Sequence, residues 1–115
     1  MSDALEADLV ATGRFARVES VGRSTGQGRV ATVGFAPEPD GSILIAAGLT
    51  AAWARNLLAD PACRVTVGDR TFDAVAEPLE GPDFGRAIRE LILRYGTPAE
   101  SLGSGPAFRL RPTGS

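Results

Sequence analysis

CRVTVGDRTFDAVAE, residues 63–77, has the pattern of two β-strands joined by a tight turn. Gly68-Asp69 separates the strand-like segments 63–67 and 70–77, and such a pair between alternating apolar residues is typical of a two-residue antiparallel hairpin. In the second segment, apolar residues alternate with polar ones at Phe72, Ala74 and Ala76. One face of this hairpin is therefore predicted to be buried, and the sheet to be antiparallel.

Four more segments with strand patterns surround the hairpin: residues 15–21, 29–36, 42–48 and 107–112. Short turns join most of them, and these include the Pro/Asp/Gly segment 37–41. A doubly wound sheet would need repeated βαβ units, so this layout favours a small antiparallel barrel. We predict a mainly β (α+β) fold, a six-stranded antiparallel barrel with short flanking helices, in one domain spanning residues 1–115.

Helices are predicted at residues 2–12, 50–60 and 81–96. The last is the most strongly amphipathic, with apolar residues at helical spacing at Phe84, Ala87, Ile88, Leu91, Ile92 and Tyr95. We expect this face to pack either on the barrel or on a second copy of the chain. Because a barrel this small would leave apolar surface uncovered, we expect a homodimer.

Two residue types are missing, since the 115 residues include neither histidine nor lysine and all twelve basic side chains are arginine. These absences exclude a Ser-His-Asp triad, a histidine zinc ligand, a P-loop lysine and a Schiff-base lysine. The single cysteine, Cys63, alternates with valines and is expected in the core. No metal site and no internal disulfide are predicted.

The net charge is −2 and the pI is about 5.1, so the composition predicts no nucleic-acid or anionic-membrane partner. No apolar run approaches the ~20 residues of a membrane-spanning helix, and no signal-peptide pattern is present. We expect a cytoplasmic protein with a small-molecule partner.

The connection between the first two strands, GRSTGQGR at residues 22–29, is rich in glycine and has an arginine near each end. If these strands pair antiparallel, Arg23 and Arg29 converge, and an anion between them would relieve their repulsion. The backbone N–H of Gly26 can point at the same anion. Neutral donors are added by Ser24, Thr25 and Gln27. The alternative is an ordinary turn with solvated arginines, and spacing alone does not decide between them.

GRSTGQGR together with WARNLLADP at residues 53–61 resembles the GR-x-SGQ-x-R … W-x-x-NL-x-x-x-P pattern of the deazaflavin-dependent nitroreductase family. Its members are split β-barrel proteins that use the deazaflavin coenzyme F-420. The resemblance runs from Val18 to Val75 and, more loosely, to the final FRLRP. It implies coenzyme F-420 as the cofactor, with its phosphodiester and tail bound by the loop.

Carried onto this chain, the resemblance implies that the cofactor-binding residues are Arg23, Ser24, Thr25, Gly26, Gln27, Arg29, Trp53 and Asn56. Trp53 could instead be a core aromatic, and Asn56 could face solvent. The chain departs from the family pattern at Thr32, where many members have proline, and in a shortened segment 48–52 without histidine. The acceptor pocket is therefore less well defined than the phosphate-binding end.

The implied activity is an oxidoreductase that transfers hydride from the reduced coenzyme to an enone, nitroaromatic or quinone. The coenzyme supplies the hydride, so no side-chain nucleophile is needed. Tyr95 is a candidate proton donor, with packing as the alternative. Two other readings remain open: a split barrel that binds FMN, and a non-catalytic protein that stores or delivers coenzyme F-420.

Overall fold

The structure is a computed structural model that describes residues 8–20, 29–47, 52–95 and 105–113. Its strands are β1 (Ala16–Ser20), β2 (Arg29–Val33), β3 (Ala36–Pro37), β4 (Ile43–Ala46), β5 (Ala62–Val67), β6 (Arg70–Pro78) and β7 (Ala107–Pro112). Its helices are α1, of which residues 8–11 are described, α2 (Ala52–Ala59) and α3 (Gly81–Tyr95). The mainly β fold is confirmed.

All seven strands belong to one antiparallel sheet with the order β2-β1-β5-β6-β7-β4-β3. The two edge strands, β2 and β3, are consecutive in the chain and are joined only by Gly34 and Phe35. Three Cα–Cα steps span at most ~11 Å, so the sheet must curl until its edges approach each other. The result is an antiparallel barrel that stays split between β2 and β3, as predicted.

The prediction of six strands was wrong at one position, because the segment 29–36 forms two strands. The chain bends at Gly34, beside the ring of Tyr95. A Cβ at position 34 would lie 3.0 Å from Cε2 of that ring, so a larger residue there would require the ring to shift. The tyrosine lies 61 positions further along the chain, and a local sequence pattern does not reveal such a contact.

The predicted hairpin 63–77 is present, and Gly68 in its turn has a φ of 61°, which glycine adopts without strain. The helices predicted at 50–60 and 81–96 are present as α2 and α3, with ends that differ by one or two residues. Residues 8–11 confirm the described part of the N-terminal helix, and the rest of that prediction lies outside the described residues.

Two apolar clusters hold the fold together. The barrel interior is filled from the strands, with Phe108, Ile45, Val18 and Val65 fully buried, and α2 covers one region of it with Ala54 and Leu57. The second cluster lies outside the barrel, where α3 packs Ala87 and Leu91 onto Leu44, Ala46 and Ala107. The apolar face of α3 was expected to pack either on the barrel or on a second copy of the chain. The structure shows it packed on the barrel of the same chain.

Glu38, in the turn after β3, connects that turn to two other elements. Its carboxylate accepts hydrogen bonds from Arg109 of β7 at 2.7 Å and from Arg86 of α3 at 3.0 Å. The side chain is only 12% exposed. Burial raises the pKa of this carboxyl group, but the two arginines outweigh burial and hold its pKa below the ordinary value of 4.5.

We predict that Glu38→Gln lowers the free energy of unfolding by roughly 1–3 kcal/mol at neutral pH, the scale of charge-assisted hydrogen bonds. A carboxyl group whose pKa is lower in the folded than in the unfolded state stabilises the folded protein at pH values above its unfolded-state pKa. That stabilisation is lost as the pH falls through the folded-state pKa. Denaturant unfolding from pH 7 into the acid range should therefore show the difference from wild type shrinking below about pH 4.5.

The control is Asp73→Asn, which breaks an ion pair with Arg64 whose side chains are 65% and 59% exposed. Exposed pairs contribute roughly 0–1 kcal/mol, so this variant should stay close to wild type. An equal loss in both variants, or a loss at Glu38 that does not depend on pH, would contradict the prediction.

Candidate functional site

The loop carrying the first motif leaves and re-enters the sheet at one point. β1 and β2 pair antiparallel, and their last pair is Ser20 opposite Arg29. The connection between them, residues 21–28, therefore begins and ends at the same end of the β1–β2 ladder. The predicted contacts Arg23, Ser24, Thr25, Gly26 and Gln27 lie outside the described residues, as does the side chain of Arg29.

Asn56 connects the second motif to this end of the ladder. It is 3% exposed, and its Nδ2 donates a hydrogen bond to Oγ of Ser20 at 3.2 Å. Ser20 is also 3% exposed and is the last residue before the loop. The second motif thus bonds the end of β1 from which the segment with the first motif begins, and the solvent-facing alternative for Asn56 is excluded.

Ser20 is the residue of this site that sequence reasoning missed. It occupies the third inward position of β1, after Ala16 and Val18, where an apolar residue would be expected. A polar residue in a buried alternation signals a hydrogen-bonding partner elsewhere in the fold, because leaving such a group unpaired is costly. The pattern could have singled out Ser20, but it could not have shown that the partner is Asn56.

Trp53 is half-buried and packs against the interior cluster of the barrel. It therefore packs as a core aromatic does, while part of its surface stays accessible. Two other apolar residues on the elements that carry the motifs are exposed: Val30, the residue after Arg29, at 63%, and Leu58 of α2 at 56%. α2 contacts β2, the strand that begins at Arg29.

Tyr95 lies at the other end of the β1–β2 ladder, beside the Ala16–Val33 pair. Its hydroxyl donates to the carbonyl of Arg14 at 2.7 Å and accepts from the N–H of Phe35 at 3.0 Å. Four strand steps, roughly 13 Å, separate this end of β1 from Ser20. The hydroxyl is thus engaged with backbone far from the loop, and these contacts support the packing role considered for Tyr95.

Cys63 is buried, as expected, and its thiol lies 3.6 Å from the carbonyl of Ala74. Burial, with a smaller contribution from the nearby Asp73 carboxylate, raises the pKa of this thiol to about 11. The thiolate is the nucleophilic form, so Cys63 is inert near neutral pH. Within the described ranges, no group of three or more His, Cys, Asp or Glu side chains could hold a metal ion.

The family follows from the sequence of most of the chain. A sequence model of the F-420H(2)-dependent quinone reductase family matches residues 9–97. The chain belongs to this family. Coenzyme F-420 is therefore its cofactor, and the resemblance to deazaflavin-dependent reductases is confirmed. No curated protein matches the chain.

Solved structures with the same fold include proteins of different described function. The heme storage protein HutZ from Vibrio cholerae is 21% identical, with a TM-score of 0.77 over 98% of this chain and 91% of its own. An F-420-H2 dependent reductase, FDR-A, is 21% identical, with a TM-score of 0.74 over 85% of this chain and 94% of its own. A chain described as a domain-swapped dimer is 19% identical, with a TM-score of 0.74 over 94% and 95%. At these identities the likeness shows the split-barrel fold alone.

The site fits an anionic coenzyme by the chemistry of its donors. The Ser20–Arg29 pair brings both ends of a loop with guanidinium, hydroxyl and amide groups to one place. Guanidinium groups and backbone N–H groups are the donors that bind phosphate oxygens. The buried Asn56–Ser20 bond fixes α2 beside that loop.

We predict that Ser20→Ala and Asn56→Ala each reduce stability by roughly 1–2 kcal/mol, the scale of losing a buried hydrogen bond. The double variant should cost less than the sum, because both changes remove the same bond. Each should also weaken coenzyme binding through the position of the loop. Denaturant unfolding and coenzyme fluorescence titration measure the two effects.

Thr66→Ala is the control, since its hydroxyl lies 3.2 Å from that of Thr71 in an exposed pair. It should change neither stability nor coenzyme affinity appreciably. Additive losses at Ser20 and Asn56, or coenzyme affinity that stays at the wild-type level in both variants, would contradict the predicted link.

Proposed function

We propose that this protein transfers hydride from reduced coenzyme F-420 to a small conjugated acceptor: an enone, a nitroaromatic or a quinone. The observation that carries the proposal is the family match over residues 9–97. The buried contact between Asn56 and Ser20 supports the location of the coenzyme site. The chain has no histidine or lysine, and this chemistry requires neither.

The coenzyme would be held mainly by the loop between β1 and β2. Arg23 and Arg29 would bind its phosphodiester, and backbone N–H groups around Gly26 would add donors. The neutral donors in this set are Ser24, Thr25 and Gln27. When bound in its reduced form, the coenzyme supplies the hydride. The protein binds it, orients it and keeps water away.

The two residues of α2 would have different tasks. Asn56 is buried and directed at Ser20, so it would act by positioning the loop. Trp53 is half-buried, and its accessible part would contact the coenzyme. The exposed Val30 and Leu58 would extend this apolar surface and lower the local dielectric around the reacting groups.

Broad acceptor tolerance would follow from the sequence around the acceptor pocket. The segment 48–52 is short and has no ionisable side chain before Trp53. A pocket with few polar anchors discriminates weakly between acceptors of similar shape. We therefore propose slow turnover with several acceptor classes rather than selectivity for one.

A heme-binding function, as described for HutZ, has less support in this chain. Heme iron is held by histidine, alone or together with methionine, or by a cysteine or tyrosine side chain. The chain has no histidine, its cysteine is buried with a raised pKa, and its one tyrosine hydroxyl is bonded to backbone. These residues favour the reductase over a heme protein.

We also propose a cytoplasmic homodimer. A structurally similar chain is described as a domain-swapped dimer. The apolar face of α3 does not supply the interface, because it packs on its own barrel. Exposed apolar residues outside that buried face, including Leu93 of α3 at 75% and Val75 of β6 at 36%, offer contact surface. No helix in the described ranges is long and apolar enough to cross a membrane. Light scattering would measure the mass of the protein in solution, which should be twice that of one chain.

We predict that Arg23→Ala and Arg29→Ala each weaken coenzyme binding by roughly 1.5–3 kcal/mol, the scale of a charge-assisted hydrogen bond. Fluorescence titration of the coenzyme into each variant measures the effect. Arg89→Ala is the matched control, because this arginine is exposed on α3. Wild-type affinity in both loop variants would mean an ordinary turn with solvated arginines.

We predict that the protein oxidises reduced coenzyme F-420 in the presence of a panel of enones, nitroaromatics and quinones, at rates above the protein-free reaction. Reduced nicotinamide cofactors should not replace the coenzyme. The Arg23→Ala/Arg29→Ala double variant should lose the rate at limiting coenzyme. Tight coenzyme binding with no acceleration by any acceptor would indicate storage or delivery, and a yellow flavin bound after purification would indicate FMN.

A further inference from the structure

A second pocket lies away from the coenzyme site and has no part in the proposed mechanism. It has a volume of about 340 Å³ and is lined by Thr12, Gly13, Arg14, Arg94 and Tyr95. These residues belong to the turn between α1 and β1 and to the last residues of α3. Through Arg14 and Tyr95, the pocket adjoins the Ala16–Val33 end of the β1–β2 ladder, opposite the end that carries the loop.

Arg94 is held in place at the wall of this pocket. The central carbon of its guanidinium lies 4.7 Å from the centre of the Phe35 ring. Its Nε donates to the hydroxyl of Tyr95 at 3.2 Å, and one Nη donates to the carbonyl of Gly13 at 3.4 Å. These contacts orient the planar group but use only some of its donors, and the others remain for a ligand.

Arg14 is the second arginine among the residues that line the pocket. Its backbone is fixed from two sides, because its N–H donates to the carbonyl of Leu9 and its own carbonyl accepts from Tyr95. The side chain is exposed. A flexible side chain on a fixed backbone can close on a ligand in the pocket.

Among the described residues, neither Arg14 nor Arg94 has a carboxylate within ion-pair distance. The same holds for Arg17, Arg55, Arg70 and Arg89, whereas Arg64, Arg86, Arg109 and Arg111 form ion pairs, so it is the shared pocket that distinguishes Arg14 and Arg94. The carboxyl-terminal end of α3 has a partial negative charge that favours a nearby cation, and Arg94 supplies one. Arg14 adds a second positive charge to the pocket, which the helix dipole does not account for.

We propose that this pocket binds the carboxylate or phosphate group of a small organic anion, with Arg94 and Arg14 as its ligands. Guanidinium forks match the oxygens of both groups. A pocket of about 340 Å³ falls within the usual range for small-molecule sites. The hydroxyl of Tyr95 is already bonded, so it orients Arg94 rather than contacting the anion.

The test uses the fact that Tyr95 is the single tyrosine of the chain. Fluorotyrosine labelling places one fluorine probe at the wall of the pocket. Succinate and phenyl phosphate, titrated separately at constant ionic strength against sodium chloride, should each shift this resonance in a saturable manner. Arg94→Ala and Arg14→Ala should each raise the dissociation constant roughly tenfold or more, the loss of a charge-assisted hydrogen bond.

Arg89→Ala, on the same helix, is the control and should leave anion binding unchanged. The Arg14 side chain is exposed, so Arg14→Ala should stay folded, which denaturant unfolding checks. The Arg23→Ala/Arg29→Ala variant should retain anion binding, which separates this site from the coenzyme site. Shifts equal to those with chloride, or wild-type anion affinity in both Arg94→Ala and Arg14→Ala, would overturn the proposal.

Discussion

The chain passes from one edge of the sheet to the other through Gly34 and Phe35, and this short connection determines the shape of the protein. Two residues cannot cross an open seven-stranded sheet, so the sheet curls. Tyr95 stabilises the connection by lying against Gly34 and by bonding Phe35 and Arg14. A residue at the end of α3 therefore holds the two edges of the barrel near each other.

Because of this closure, the Ser20–Asn56 contact and the second pocket lie at opposite ends of the β1–β2 pair. At the Ser20–Arg29 end, between which the segment with the first motif runs, Asn56 of α2 bonds Ser20 of β1. At the Ala16–Val33 end, Arg94 packs over the Phe35 ring, Tyr95 bonds the Phe35 backbone, and both residues line the second pocket. β1 lies between β2 and β5, so it is paired along both sides and can keep the two ends at a constant separation.

Local patterns predicted the hairpin, α2, α3 and the antiparallel arrangement because these depend on neighbouring residues. The break at Gly34 and the role of Tyr95 could not be predicted, because they result from a contact across 61 positions. The periodicity of α3 identified its apolar face but not the surface beneath it, which is the chain's own barrel. For the coenzyme site, the motifs predicted Asn56, while its partner Ser20 emerged only from the fold.

The distribution of arginines follows from the chemistry of a hydride-donating cofactor. Because the coenzyme supplies the reactive group, the protein needs no side chain that titrates near neutral pH, and a chain without histidine can serve. Its arginines can then serve in ion pairs within the fold and in the binding of anionic ligands. Arg86 and Arg109 neutralise Glu38 in the fold, whereas Arg14 and Arg94 have no such carboxylate within the described residues. We propose that the arginines of the loop and of the second pocket bind anions in this otherwise acidic protein.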